Sequence, residues 1–182
     1  MRSPVSRLWI LTGSIGVGKT AICQRLVAEA QGRGWDVAGI FSPGVYQGGQ
    51  KVAIDAVDVR SNERRRLAWR VTGENSAVIH TQEWRFDPET LCWGNTVFET
   101  AVPCDFLVVD EIGPLELERK QGWITALSAI ASRAYRLGVV VLRPSLLALA
   151  VRWSPAHVLA IRHPDQPLTL ADLLGGEPLG VR

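Results

Sequence analysis

The sequence predicts an α/β fold in which helices cover both faces of a mainly parallel central sheet, giving three layers. Short apolar runs typical of buried strands alternate with longer stretches typical of helices. A glycine-rich loop joins the first such strand to the first helix, and a later apolar run ends in two acidic residues. The chain has 182 residues, of which 47% are hydrophobic, so we expect residues 1–182 to form a single domain with its own core.

The first half of the chain starts with this loop and then departs from the alternation. We predict a strand at about 7–12, a helix at about 19–32 that ends at glycines, and a second strand at about 36–41. The stretch 51–60 is suited to pair with 67–71 across a polar turn. We therefore expect residues 42–85 to form an inserted antiparallel hairpin region at one edge of the parallel sheet.

The second half returns to alternating strands and helices. Asp87 and Pro88 are typical of a helix start, and this helix should run to about Ala101. The apolar run at 106–109 is typical of a strand buried on both faces, and we expect it to lie beside the first strand. The remaining predicted elements are a helix at 121–136, a strand at 138–142, a short helix at 145–151, a strand at 157–161 and a helix at 168–174.

Composition and charge argue against several classes of function. The formal net charge is +2, which gives no clear signal for binding nucleic acid or a membrane surface. The longest apolar segment, 137–151, is interrupted by Arg143 and Pro144, and the apolar run near the N-terminus is too short for a signal peptide. The three cysteines lack C-x-x-C spacing, which argues against a disulfide framework or a zinc site. We expect a cytoplasmic protein.

The glycine-rich loop carries the strongest functional signal. It fits the pattern G-x-x-x-x-G-K-[ST], and its members are Gly13, Ser14, Ile15, Gly16, Val17, Gly18, Lys19 and Thr20. Glycines let backbone N–H groups curl around an anion, and the positive end of the following helix dipole also favours phosphate. In this interpretation Lys19 reaches the β- and γ-phosphates of a nucleotide and the Thr20 hydroxyl binds Mg²⁺. The alternative is a glycine-rich turn that binds no ligand.

The acidic pair supplies the other half of the predicted site. Asp110 ends a central strand, and ligands of open α/β sheets bind beyond the carboxyl ends of the strands. There Asp110 would hold Mg²⁺ through its water shell, facing Thr20, and Glu111 would polarise the water that attacks the γ-phosphate. The alternative is an acidic strand end in solvent. Residues 110–113 also match the D-x-x-G of GTPases, but no N/T-K-x-D motif for guanine accompanies it.

Together the two motifs resemble a known family. The loop 13–20 and the segment V-D-E-I-G-P-L-E-L at 109–117 are similar to the small nucleoside-triphosphatase family of P-loop NTPases, the cancer-related nucleoside-triphosphatase-like proteins. The resemblance implies a three-layer P-loop NTPase fold and Mg²⁺-dependent hydrolysis of ATP, GTP and other nucleoside triphosphates with loose base selectivity. It also implies that residues 13–20 bind the phosphates, that Asp110 serves the metal and that Glu111 activates water.

Several positions depart from the family pattern, as in a divergent branch. Ala21 replaces a threonine, the stretch 51–54 replaces a hairpin signature that ends in R-x-G-F, and a glycine expected near Gln82 is missing. Arg143 stands where a small polar residue is commoner. Because the strand before it should end near the γ-phosphate, Arg143 is a candidate for an internal arginine finger. The alternative is that Arg143 pairs with a carboxylate or reaches solvent.

Three other groups have two interpretations each. Arg119 is a weaker candidate for the arginine finger. Trp84 is able to stack on a nucleotide base, or it packs in the core, as most of the seven tryptophans must. The arginines at 60 and 64–66 indicate a solvated hairpin, or a lid that clamps a phosphate.

Hydrolysis of a nucleoside triphosphate is the leading predicted function. The second is a nucleotide or small-molecule kinase that uses the same phosphate loop, although a kinase needs no water-activating Glu111. The third is a nucleotide-gated binding module in which slow hydrolysis times an interaction. A protein partner or a second substrate therefore stays open beside the nucleoside triphosphate.

Overall fold

The computed structural model of the protein describes residues 6–71, 79, 81 and 83–175. Its strands in this part of the chain are β1 Arg7–Thr12, β2 Val37–Phe41, β3 Gly44–Gln47, β4 Gln50–Asp58, β5 Arg64–Arg70, β6 Trp84–Phe86, β7 Cys104–Ile112, β8 Tyr135–Leu142 and β9 His157–Ala160. Its helices are α1 Lys19–Gly32, α2 Pro88–Glu99, α3 Pro114–Leu117, α4 Ile124–Ser132 and α5 Leu170–Gly175, with a 3₁₀ helix at Pro144–Trp153. None of these described helices has both the length and the apolar character needed to cross a bilayer.

All the described strands belong to one mixed sheet. Its order is β6-β5-β4-β2-β7-β8-β1-β9, and β3 also pairs with β4. The neighbouring strands β2, β7, β8, β1 and β9 are parallel to one another. Strands β3, β4, β5 and β6 pair antiparallel and extend the sheet beyond β2. The predicted α/β class with an inserted antiparallel region is therefore confirmed. Within the predicted insertion, residues 72–78, 80 and 82 lie outside the described residues.

Two apolar cores lie on opposite faces of the sheet. Helices α1 and α5 cover one face with side chains such as Leu26 and Leu173. Helices α2 and α4 cover the other with side chains such as Phe98 and Ile130. Alternate residues of β7 contribute to the two cores, as expected for a central strand whose side chains point to both faces. The predicted three-layer arrangement is confirmed.

The predicted position of β7 beside β1 was wrong, because β8 lies between them. Val140 of β8 pairs with Val109 on one side and with Ile10 on the other. β8 starts three residues earlier than predicted, and its residues 137–142 are all buried, so it is suited to a central position. The apolar pattern of a central strand is the same at any central position, and it therefore does not predict the strand order.

Two helices also differ from the prediction. The helix expected at 121–136 covers only Ile124–Ser132, because Gly122 and Arg133 have φ angles of 72° and 55°, which a right-handed helix does not accommodate. The short helix expected at 145–151 is a 3₁₀ helix at Pro144–Trp153. The predicted start of α2 is confirmed, since Asp87 Oδ2 accepts a hydrogen bond from the Thr90 N–H at 2.8 Å.

Candidate active site

The glycine-rich loop forms the turn between β1 and α1. Gly13, Gly16 and Gly18 have φ angles of 144°, 77° and 97°, which side chains disfavour. A Cβ on Gly13 would lie 2.4 Å from the Ile161 carbonyl oxygen, and a Cβ on Gly18 would lie 2.5 Å from Pro164 Cβ, so the chain after β9 packs against the loop. A Cβ on Gly16 would meet nothing within 4 Å. The loop is therefore packed at its ends and open at its centre.

Lys19 is folded over this loop. Its Nζ donates hydrogen bonds to the carbonyl oxygens of Gly13 at 2.9 Å and Ser14 at 2.8 Å. Burial lowers the pKa of Lys19, while the negative charges of Glu111 and Asp110 act in the opposite direction. The ammonium group thus lies at the start of α1 and within the electrostatic field of the acidic pair.

Asp110 is completely buried beside the chain that follows β2. Its Oδ2 accepts a hydrogen bond from the Ser42 N–H at 3.0 Å, and the Ser42 hydroxyl donates to the Asp110 carbonyl oxygen at 2.9 Å. Burial and then the charge of Glu111 raise the pKa of Asp110 to about 6, while the Ser42 N–H and the Thr20 hydroxyl act to lower it. Thr20 and Asp110 are therefore close neighbours, although Thr20 makes no well-aligned hydrogen bond to the carboxylate.

The buried Oδ1 of Asp110 suits a hard cation, and the Thr12 hydroxyl is too far away to share that ion directly. Within the described residues, Asp110 Oδ1 and the hydroxyl of Thr12, the last residue of β1, have no hydrogen-bond partner. The ends of β7 and β1 are two strand spacings apart, about 10 Å, because β8 separates them. Mg²⁺ prefers oxygen ligands and is usually held by one or two protein groups together with phosphates and water. The oxygens of Thr20 and Asp110 fit such an ion, whereas the described residues contain no cluster of three or more His, Cys, Asp or Glu that could hold one.

Glu111 has a left-handed backbone conformation, with a φ angle of 67°. The pairing of β7 with β8 is interrupted between Val109 and Ile112, so the two acidic residues stand in a bulge. Such conformations are uncommon for residues other than glycine and concentrate at functional sites. The bulge gives the two carboxylates different surroundings, since Asp110 is buried against Ser42 and Glu111 lines an open cavity.

This cavity has a volume of about 390 Å³ and joins the glycine-rich loop to the inserted strands. Ile15, Lys19, Glu111 and Arg143 line it, together with apolar and aromatic side chains from β4, β5, β6 and the segment after β7. The structure thus brings together the lysine of the loop, the second acid of the pair and the arginine that follows β8.

The other arginines and Trp84 differ in their relation to the cavity. Arg119 lines it from an exposed position, and Trp84, which is buried, forms part of its wall. Within the described residues, the carboxylates form no ion pair with Arg143, whose positive charge acts to lower the pKa of Lys19. The arginines at 60 and 64–66 do not line the cavity. They pair instead with Asp36, Asp55 and Glu63, which favours the structural interpretation of this cluster.

Three residues of the site region were missed by the sequence analysis. Ser42 binds Asp110 through two hydrogen bonds, and no local pattern marks it. Lys51 of β4 lies over the Trp84 ring, with Nζ 5.3 Å from the ring centroid, and acts to lower the pKa of both Asp110 and Lys19. Its position in a divergent hairpin signature was a signal in the sequence. That the Lys51 side chain reaches the Trp84 ring could be known only from the order of the strands in the sheet.

Glu116 is the third missed residue, and its role is structural. Its buried carboxylate accepts hydrogen bonds from the N–H groups of Gly113 at 3.0 Å and Trp123 at 3.1 Å. Burial raises the pKa of Glu116 and these hydrogen bonds act to lower it. It therefore fixes the segment between β7 and α4, which forms one wall of the cavity. A glutamate three residues after a glycine that caps a helix is the signal that indicates this role.

A family model and individual relatives of this chain all carry the description NTPase or nucleoside-triphosphatase. A family model described as NTPase matches residues 9–158. Among curated proteins, the nucleoside-triphosphatase THEP1 of Methanopyrus kandleri is 30% identical over 110 residues, covering 60% of this chain and 59% of the relative. The nucleoside-triphosphatase THEP1 of Ignicoccus hospitalis is 34% identical over 116 residues, covering 61% and 63%. The chain thus matches about three-fifths of the length of these relatives.

Two solved structures share the fold. The solution structure of a human cancer-related nucleoside triphosphatase has a TM-score of 0.64 and 20% sequence identity, covering 93% of this chain and 92% of that one. The crystal structure of THEP1 from Aquifex aeolicus has a TM-score of 0.63 and 12% identity, covering 87% and 92%. At these identities the similarity shows a shared arrangement of helices and strands and no more.

Proposed function

This chain belongs to the NTPase family, and from that premise we propose that it is a nucleoside-triphosphate phosphatase. Its substrates are ATP, GTP and other nucleoside triphosphates, which it hydrolyses with Mg²⁺ to diphosphate and phosphate. The observation that carries the proposal is the convergence of Lys19, Thr20 and the acidic pair at the glycine-rich loop. The nearby relatives are named as nucleoside-triphosphatases, which supports the same reaction.

Phosphate binding is assigned to residues 13–20. The centre of the loop is open at Gly16, and the N–H groups at the start of α1 have no partner within the helix, so both suit an anion. Lys19 already holds two carbonyl oxygens of the loop at hydrogen-bond distance. Because an ammonium group has three donors, Lys19 is able to contact a phosphate oxygen while it keeps contact with the loop.

Metal binding is assigned to Thr20 and Asp110. The free Oδ1 of the buried Asp110 and the neighbouring Thr20 hydroxyl are the oxygens that would hold Mg²⁺, directly or through its water shell. When bound, this ion would neutralise charge on the β- and γ-phosphates. Ser42 keeps Oδ2 of Asp110 occupied, so the other oxygen remains for the cation.

The role assigned to Glu111 is that of a general base. Its carboxylate lines the cavity beside Lys19 and takes a proton from the attacking water. The water oxygen forms the new bond to the γ-phosphorus, and the bond from that phosphorus to the bridging oxygen breaks, with the electron pair leaving on the diphosphate. Glu111 has a left-handed backbone and lines the cavity, whereas Asp110 is buried against Ser42, which supports different roles for the two carboxylates.

Phosphate release is the measurement that tests the proposed function. We expect the protein to release phosphate from ATP and GTP in the presence of Mg²⁺ and without an added acceptor. EDTA should abolish the release. An absolute demand for an acceptor would contradict hydrolysis and favour the kinase, while slow turnover that a protein partner accelerates would favour the gated module. The expected cytoplasmic location stays a prediction.

Arg143 is assigned the arginine-finger role, which gives a separate prediction. Replacing Arg143 with alanine should lower kcat by at least about a hundredfold, because its guanidinium would stabilise charge that develops in the transition state. The affinity for the triphosphate should change far less. Stopped-flow phosphate detection and calorimetry measure the two effects.

Arg152→Ala is the control for this substitution. Arg152 belongs to the 3₁₀ helix that follows Arg143, and its Nε donates to the Leu149 carbonyl oxygen at 2.9 Å on the exposed surface. We expect this variant to keep the parent kcat. Equal turnover in Arg143→Ala and the parent would remove Arg143 from the mechanism.

A further inference from the structure

The cavity beside Glu111 is larger and more apolar than attack by water requires. Ile54 and Leu67 of the inserted strands line one side, Trp84 and Phe86 of β6 continue it, and Leu115 and Trp123 line the side formed after β7. Its volume of about 390 Å³ is in the range of small-molecule sites, which is about 300–1,000 Å³. Aromatic and branched side chains of this kind suit a flat, mainly apolar ring system.

The position of the cavity relative to the phosphate loop decides which molecule enters it. Lysine and threonine at the end of such a loop contact the terminal phosphates and their metal ion. The cavity is lined by Lys19 and Glu111, so it opens at the γ-phosphate end of a bound nucleotide. The base of that nucleotide lies at the other end of its phosphate chain. Trp84 is thus positioned to stack on a second molecule and not on the base of the triphosphate.

Several charged side chains line the cavity, and Glu111, beside the glycine-rich loop, defines one more property of the ligand. An ionised glutamate only accepts hydrogen bonds. A ligand whose ring lies between Trp84 and Leu115 therefore needs a donor, such as a hydroxyl, where it meets Glu111. The cationic groups of Lys19 and Arg143 line the same cavity, and they suit the γ-phosphate of the nucleotide, which would lie next to that hydroxyl.

We propose that the cavity binds a second substrate, a planar aromatic or heterocyclic alcohol no larger than a nucleoside, with its hydroxyl at Glu111. The chemical step rests on the proposed function, since it uses the same triphosphate and the same base. The alcohol oxygen takes the place of water and forms the bond to the γ-phosphorus. Glu111 takes the hydroxyl proton, the bond to the bridging oxygen breaks, and the electron pair leaves on the diphosphate. The products are the phosphorylated alcohol and the nucleoside diphosphate.

Binding is tested first, by calorimetry without a triphosphate. The probes are adenosine, guanosine, cytidine, uridine, benzyl alcohol and 3-(hydroxymethyl)pyridine. We expect at least one of them to bind with a Kd below about 1 mM. We also expect Mg²⁺ and ADP to leave this Kd unchanged, because the probe and the nucleotide would occupy separate sites at the same time. Failure of every probe to bind, or displacement of the bound probe by ADP, would overturn the proposal.

Trp84→Ala and Trp69→Ala form a matched pair of variants. The two tryptophans lie on the paired strands β6 and β5, but Trp84 lines the cavity while Trp69 is 37% exposed and its ring contacts Arg85. Loss of ring stacking should weaken the probe by about tenfold or more in Trp84→Ala. Trp69→Ala should change the Kd by less than about twofold. Equal effects in the two variants would contradict the assigned cavity.

Transfer of label from γ-³²P-ATP to the bound probe tests the chemical step with the unaltered protein. This measurement still tests the second substrate if Trp84→Ala does not fold. We expect labelled phosphate on the alcohol. A probe that binds and receives no label would overturn its role as acceptor. The two proposals fail in different ways. Probe binding without any phosphate release from triphosphates contradicts the proposed hydrolysis, whereas release without probe binding contradicts the second substrate.

Discussion

The Lys19→Ala variant is expected to lose nucleotide binding, with an affinity for Mg²⁺–ATP at least about a hundredfold below that of the parent. Hydrogen bonds to charged groups contribute about 1.5–3 kcal/mol each, and Lys19 is assigned to the β- and γ-phosphates. Its Nζ also holds the carbonyl oxygens of Gly13 and Ser14, so its removal leaves the loop less ordered for the ligand. Isothermal titration calorimetry with ATP and Mg²⁺ measures the loss.

Lys120→Ala is the matched control for Lys19→Ala. Lys120 is exposed just beyond α3, so its removal changes the net charge equally and leaves the phosphate loop intact. We expect the control to bind ATP like the parent. Circular dichroism shows whether Lys19→Ala is folded. A folded Lys19→Ala protein with the parent affinity would contradict the assignment of residues 13–20 to phosphate binding.

The Glu111→Gln variant is expected to bind the triphosphate normally and to hydrolyse it about 10²–10⁴-fold more slowly. Glutamine has the same size and reach but is a poor acceptor for a proton, and general-base catalysis contributes rate effects of this order. The Asp110 carboxylate and its hydrogen bonds to Ser42 are untouched, so metal and phosphate binding should persist. Single-turnover phosphate release and calorimetry separate the two quantities.

Glu118→Gln provides the control for the loss of one acidic group. Glu118 is exposed just after α3 and should have no effect on turnover. If Glu111→Gln hydrolyses ATP at the parent rate, another group accepts the proton and the assignment of the base is wrong. If it loses binding as well, Glu111 acts on the ground state and not only in the transition state.

The positions of the glycine-rich loop and of the acidic pair in the fold were predictable from sequence because each depends on local order along the chain. A strand, a glycine loop and a helix start are contiguous, so the position of Lys19 follows from the residues around it. Asp110 and Glu111 likewise follow directly from the apolar run of β7. That both motifs meet at one edge of the sheet follows from the rule for parallel α/β folds.

The strand order was not predictable in the same way. β7 and β8 are both apolar and buried on both faces, so the sequence does not indicate which of them lies beside β1. Ser42 and Lys51 were missed for a related reason, since their contacts reach Asp110 and Trp84 across the sheet. The left-handed backbone at Glu111 was also unexpected, because a glutamate adopts it only where the surrounding structure requires it.

The cavity depends on both halves of the chain and therefore appeared only in the structure. Its walls come from the inserted strands and from the segment that Glu116 fixes through Gly113 and Trp123. Of the departures from the family pattern, Ile54 and Arg143 line this cavity, whereas Ala21 lies in α1 and does not.

A crystal structure of Glu111→Gln with Mg²⁺ and ATP would show whether the glycine-rich loop and the acidic pair serve one metal ion. We predict one Mg²⁺ that contacts the Thr20 hydroxyl and lies within one water molecule of Asp110 Oδ1, with the β-phosphate inside the loop and the γ-phosphate facing residue 111. A triphosphate bound elsewhere, or an ion too far from either Thr20 or Asp110 for both to serve it, would rule out this site.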